Sequence, residues 1–269
     1  METEDYHIVY LTPDLKRSTF EGKEMRKEVV FEHHMLIWLI SGQSKITLAD
    51  AVHEFKGGDI FLIPRNKLAA ITTSSVQGEP YRAVAMYFTP ERLKAFYKKH
   101  KPYRAPSPLD KVRVFTRHPL LESCMVSLVP YFDLTEKLPE DIAALKIEEA
   151  INILRTIDPE LDGMLSSFER PGKINLGDFM GKHFMFNMSL EKFGYLTGRS
   201  LSTFNRDFRK IFNTTPQRWL TDQRLELAHF QLAEKKRKPV DVYIEAGFEN
   251  LSHFSYAFKK RFGYAPSEV

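Results

Sequence analysis

Phe204-Asn205-Arg206-Asp207-Phe208-Arg209-Lys210-Ile211-Phe212-Asn213-Thr214-Thr215-Pro216 is written a second time, 50 residues on, as Phe254-Ser255-Tyr256-Ala257-Phe258-Lys259-Lys260-Arg261-Phe262-Gly263-Tyr264-Ala265-Pro266. In both copies phenylalanines fall at i, i+4 and i+8, a basic pair follows the second ring, and a proline closes the stretch. That spacing puts the rings on one helical face. Asn205, Arg206 and Arg209 are left on the opposite face of the first copy, and Ser255, Tyr256 and Lys259 on that of the second. A stripe of three rings alone reads as core. The repetition, and what the outer faces carry, hold the information.

Upstream of the first copy, Ser189 to Ser200 reads as a short helix capped by Ser189, a tight turn at Gly198 and a new helix capped by Ser200. Upstream of the second, Pro239 suits a first helical turn, Gly247 the tight turn and Asn250 the next cap. The second turn is one residue longer. Each copy is therefore a helix-turn-helix, at about 189–212 and 239–262, whose second helix can enter a DNA major groove.

Residues 173–269 resemble the double helix-turn-helix domain of the AraC/XylS family of bacterial transcription regulators. The first half of the likeness rests on Gly198, Ser200, Phe204, Arg206, Phe208 and Lys210, and Arg224-Leu225-Glu226-Leu227-Ala228 matches the joining helix. The second half rests on Gly247-Phe248, Phe254, Phe258-Lys259-Lys260, Gly263 and Pro266. Two residues depart from the pattern. Tyr243 stands where the family usually has alanine, and Tyr256 where many members have arginine, which removes a guanine-reading side chain.

The resemblance implies double-stranded DNA as partner. By position, Ser202, Asn205 and Arg206 match residues that reach base edges in the first helix; Leu251, Ser252, His253, Ser255 and Tyr256 match them in the second. Arg206 can pair bidentately with guanine and Asn205 with adenine; a salt bridge or a phosphate contact is the other reading for Arg206. Arg199, Arg209, Lys210, Lys259 and Lys260 stand as phosphate contacts or solvated surface. The weaker second set predicts more positioning than base reading from that helix. The family also implies contact with RNA polymerase, mostly activation, and an N-terminal domain that senses an effector or a partner.

Charge supports a nucleic-acid partner. The net charge of +4 divides into +6 over residues 172–269 and −2 over the remainder, so the basic excess lies where the repeat lies. With 269 residues the chain is long enough for two ordinary domains. Cys124, the single cysteine, excludes an intramolecular disulfide and fits a reducing compartment. The longest strongly apolar run, Met35 to Ile40, is far too short for a membrane span. The acidic start, Met1 to Asp5, lacks a signal-peptide layout. These features predict a cytoplasmic protein.

From Lys27 to Phe88, short apolar runs separated by Ser41-Gly42, Gly57-Gly58-Asp59 and Pro64 predict a sandwich or barrel. The run from Gly58 to Pro64 resembles, more loosely, the cupin-like barrel at the N-terminus of many AraC relatives. The expected fold class is α+β: a cupin-like domain at 1–100, a helical linker at 101–171 and an all-α DNA-binding domain at 172–269. Lys101 to Pro108 reads as a connector, and Phe168 to Gly172 as a boundary.

His33, His34 and His53 are the metal candidates. Neighbours on a strand face opposite ways, and the cupin pattern of two histidines followed by a glutamate is missing, so neither metal nor cofactor is implied. Phe31, His33, Trp38, Phe61, Met86 and Phe88 are candidates to line an effector pocket between sheets; plain core is their other reading. A helix over 90–100 should close the barrel. Another over 118–132 should bury Leu120, Leu121, Met125, Leu128 and Val129. A third, opened by Pro139, should bury Ile142, Leu145, Ile151 and Leu154. In related regulators such a helix pairs with its mate, which implies a homodimer through 118–157; packing on its own barrel is the alternative. The sequence thus predicts a non-enzymatic regulator, against a metal-dependent cupin enzyme with a DNA domain, or an adaptor whose barrel binds a protein.

Overall fold

The computed structural model describes residues 5–106, 111–134, 138–168 and 171–269. Parts of the expected acidic start, connector and boundary (residues 1–4, 107–108 and 169–170) lie outside the described residues. The chain divides into two compact units, Met1–Glu169 and Arg170–Val269. The fold is α+β, with antiparallel sheets and helices in the first unit and helices alone in the second.

The first unit holds β1 (Asp5–Thr12), β2 (Leu15–Glu21), β3 (Met25–Phe31), β4 (His34–Ser41), β5 (Gln43–Thr47), β6 (Val52–Lys56), β7 (Ile60–Ile63), β8 (Lys67–Ser74), β9 (Tyr81–Phe88) and β10 (Arg113–Val114). They form a six-stranded sheet in the order β1-β2-β9-β4-β7-β10 and a four-stranded sheet in the order β3-β8-β5-β6. The sequence pattern begins at Lys27, yet β1 and β2 precede it. Their half-polar sequences, such as Leu-Lys-Arg-Ser-Thr-Phe-Glu, give little alternation to read.

The strand β4 explains how the unit is layered. Met35, Ile37 and Leu39 pack between the two sheets with Phe31, Ile46, Phe55 and Phe61. Leu36, Trp38 and Ile40 pack on the other face, with Met86, Phe88 and the helices. A strand covered on both faces carries a continuous apolar run instead of an alternating one. The covering helices are α1 (Pro90–Lys99), α2 (Pro119–Val126), α3 (Val129–Asp133), α4 (Glu140–Ile157) and α5 (Pro159–Leu165). Helix α1 buries Leu93 and Phe96 against this outer face, so it covers the six-stranded sheet and does not plug the barrel.

This layering corrects the expected effector pocket. Phe31 and Phe61 lie between the sheets, whereas Trp38, Met86 and Phe88 lie on the helix side. His33 sits in the bend before β4, half-buried. Strand alternation separates these residues, so they do not line one cavity. Phe55 stacks on Phe61 at 3.6 Å between ring centroids. The cavity between the sheets has a volume of about 40 Å³, room for roughly one or two waters.

The helices also depart from their expected faces. The segment 118–132 is two helices, broken at Ser127-Leu128, and Leu120 is 53% exposed. Pro139 occupies the cap position of α4, one residue before its first turn. Leu145 is 65% exposed; the buried face of α4 is Ala143, Ile147, Ala150, Ile151 and Leu154. Small alanines let this face approach its neighbours closely, and a pattern that counts only large residues overlooks them.

Two buried polar groups stand out. Arg155 and Asp162 form an ion pair with side chains 2% and 0% exposed. His34, 2% exposed, accepts a hydrogen bond at Nδ1 from the Arg65 amide at 3.2 Å. Its Nε2 has no hydrogen-bond partner among the described residues. Burial first, then the charges of Arg65 and His33, pushes its pKa down to about 3. The unfolded chain therefore binds a proton below the ordinary histidine value that the native chain refuses. Stability is full above about pH 6.5 and falls as pH drops from there toward 3. Between pH 7.5 and 5 this residue should remove about 2 kcal/mol. Urea unfolding at both pH values should show that fall, and His34→Gln should flatten it.

Among the described residues no group of three or more His, Cys, Asp or Glu is placed to hold a metal ion. His53 is half-buried beside Phe55, its ring 6.2 Å away by centroid. No helix among the described residues is long and apolar enough to cross a membrane.

Candidate nucleic-acid interface

The second unit is built from α6 (Leu176–His183), α7 (Leu190–Leu196), α8 (Leu201–Phe212), α9 (Pro216–Ala233), α10 (Pro239–Glu245) and α11 (Leu251–Phe262). The caps are those the sequence names. Ser189 Oγ accepts from the Lys192 amide at 3.4 Å, and Ser200 Oγ from the Thr203 amide at 3.3 Å. Asn250 Oδ1 accepts from the amides of Ser252 and His253 at 2.8 and 3.0 Å. Each satisfies donors that have no partner within the helix.

The two turn glycines are fixed by close approach as well as by backbone conformation. Gly198 has φ +68°, and a Cβ there would lie 2.4 Å from the carbonyl of Gly172. Gly247 has φ +85°, and a Cβ there would lie 2.5 Å from the Met185 carbonyl oxygen. The chain segments before α6 and α7 thus pass directly over the turns, which only glycine allows.

The phenylalanine stripes are core. Phe204, Phe208, Phe254 and Phe258 are 0% exposed. In the first copy Phe208 meets Phe212 and Trp219; in the second Phe258 meets Phe262 and His229. Both stripes rest on α9, which buries Leu220, Leu225, Ala228 and Leu232. Arg224 donates to the carbonyls of Phe184 and Phe186, each at 2.8 Å, tying the α6–α7 connection to α9. Tyr243 is half-buried against the cluster of α9, α10 and α11, so the ring in place of alanine is packed at its margin.

The outer faces carry the base-reading candidates. Ser202 and Arg206 are exposed on α8, and Asn205 is half-buried there. Asn205 lines an open groove of about 540 Å³ with Leu220 and Arg224 of α9. On α11, Leu251, Ser252, His253 and Tyr256 are exposed and Ser255 is half-buried. Arg209, Lys210, Lys259 and Lys260 are exposed in the last turns of the two helices.

Arg199 is a correction. Its side chain is 9% exposed, and its Nε and Nη1 are engaged within the unit. Nε donates to Asp207 at 3.1 Å, and Nη1 to the carbonyls of Thr197 and Ile174 at 2.6 and 3.1 Å. It braces the turn, so it is held within the unit and is not a freely solvated cation. In the basic run from Lys235 to Lys238, Arg237 pairs with Glu245. Asp207, which the sequence reading passed over, joins two arginines: Oδ2 accepts from Arg199, and Oδ1 from Arg206 Nε and Nη2 at 3.4 and 3.3 Å. The Arg199 guanidinium is the main cause holding its carboxyl below the usual range.

A family model described as a helix-turn-helix domain matches residues 196–269, and one described as the ExsA N-terminal regulatory domain matches residues 34–158. Together these matches make the chain similar to regulators of the AraC family. The transcriptional regulator ExsA of Pseudomonas aeruginosa is 26% identical over 93% of this chain and 88% of its own length. The virulence regulon transcriptional activator VirF of Yersinia enterocolitica is 28% identical over 58% of each chain. Among solved structures, an apo ToxT variant of Vibrio cholerae aligns with 96% of this chain and 97% of its own, at 12% identity and a TM-score of 0.46. The chain is a DNA-binding transcription regulator, and the regulators it is similar to are of a non-enzymatic family.

Proposed function

We propose that the regulator reads duplex DNA with α8 and α11 in successive major-groove segments, about one helical turn apart, with α9 fixing their separation. The repeat carries this reading: two capped helices, 50 residues apart, each bury their rings and turn a polar face outward. Arg206 pairs with guanine and Asn205 with adenine, with Ser202 at the helix start. Leu251, Ser252, His253, Ser255 and Tyr256 sit in the second groove segment and mainly position it. Arg209, Lys210, Lys259 and Lys260 meet phosphates, where each ion pair releases counterions.

The proposed role is cytoplasmic activation through contact with RNA polymerase, in keeping with relatives named as activators. The N-terminal unit is the responsive part. Its narrow inter-sheet cavity favours a protein partner over an enclosed small molecule. A homodimer through 118–157 is supported by exposed Leu120, Val126 and Leu145.

Selection of genomic fragments by the purified chain, followed by salt-dependent binding of the recovered sequence, tests the reading. One site should be enriched. Arg206→Ala should weaken it by about 1–3 kcal/mol, or roughly 5- to 150-fold, while sequence-independent binding remains. Absence of DNA binding under any salt condition sinks the proposal.

A further inference from the structure

We infer that Asp207 is a positioning residue for sequence reading: anchored by Arg199, it holds the Arg206 guanidinium so that its terminal edge faces the bases. This rests on the proposed reading and deepens it. Arg206 is 74% exposed, and a free arginine there samples many rotamers. Asp207 takes its Nε–Nη2 side, at 3.4 and 3.3 Å. The Nη1–Nη2 end keeps two roughly parallel N–H donors, the geometry that matches guanine O6 and N7. Asp207 is itself fixed, because its other oxygen binds an Arg199 that is pinned to the carbonyls of Thr197 and Ile174. The orientation of an exposed reader is thereby tied to the backbone of the turn.

The repeat supplies an internal comparison. Arg199, Arg206 and Asp207 correspond in the second copy to Glu249, Tyr256 and Ala257. Reader, orienter and anchor are replaced together. A carboxylate facing DNA repels phosphate, and the copy that has no arginine to orient carries Ala257 in place of Asp207.

The test is a cycle of Asp207→Asn, Arg206→Ala and the double variant in the full chain, with Kd measured for the selected site and for sites changed at one base pair. Thermal unfolding of each variant reads the structural share of the Arg199 contact. Asp207→Asn should lose about tenfold in discrimination at the base pair read by Arg206, with binding to unrelated DNA unchanged or tighter. In the Arg206→Ala background the same substitution should change discrimination less than twofold. Discrimination that survives Asp207→Asn, or an equal loss in both backgrounds, overturns the inference alone. A wild-type chain that selects no site overturns this inference and the reading beneath it together.

Discussion

Phe258→Ala should melt the second helix-turn-helix while leaving the sheets of the first unit intact. Phe258 is 0% exposed and sits at the centre of a ring cluster, with centroids of Phe254, Phe262 and His229 at 5.6, 4.6 and 6.0 Å. Truncation removes the transfer energy of the ring and leaves a cavity, about 3–5 kcal/mol in all. The cluster has few places to draw replacement atoms from. Helix α10 is short, and α11 is held to α9 mainly through this face. The loss is therefore a large share of what a domain of ordinary stability has. Hydrogen exchange followed by peptide mass should show α10 and α11 losing protection, with β4 and β9 unchanged. Site-specific DNA binding should fall far more than Arg206→Ala alone produces. Native protection across α11 in the variant would refute the account.

That cluster was readable because everything that builds it is local. Caps, glycine turns and rings at i, i+4 and i+8 lie within a dozen residues of one another, and the repeat states them twice. Alternation within a strand is local too, but the partner of each face is not. Trp38 and Phe61 look alike in sequence, yet one faces helices and the other faces a sheet. Which face meets which layer depends on strands far away in the chain, so the six proposed pocket residues came apart. Arg199 failed for a related reason. Basic residues beside a recognition helix suggest phosphate, and only the position of Asp207, eight residues on, shows that this one also braces its own turn. Leu145 is the reverse case: an apolar residue at a plausible spacing, outvoted by alanines that pack more closely.

Asp162→Asn should destabilise the first unit almost as severely as Phe258→Ala does the second. The carboxylate is fully buried between three donors: the Arg155 guanidinium, the Tyr97 hydroxyl at 2.7 Å and the Tyr103 amide. Arg155 in turn lies over the rings of Phe96, Tyr97 and Tyr103, at 5.1, 5.5 and 4.1 Å to their centroids, and donates to the Lys101 carbonyl at 2.8 Å. This one pair pins the connector from 101 to 103 to α1, α4 and α5. Removing the negative charge leaves a buried guanidinium without its counterion, which costs about 3–5 kcal/mol. In a unit of this size that should lower the melting temperature by roughly 10 °C, and proteolysis near Tyr103 should become faster. Arg155→Met with Asp162→Leu removes both charges at once and should recover much of the loss, because desolvation of the pair offsets most of its Coulomb attraction. A double variant less stable than Asp162→Asn would mean that the hydrogen bonds to Tyr97, Tyr103 and Lys101, and not the charge balance, hold this layer together.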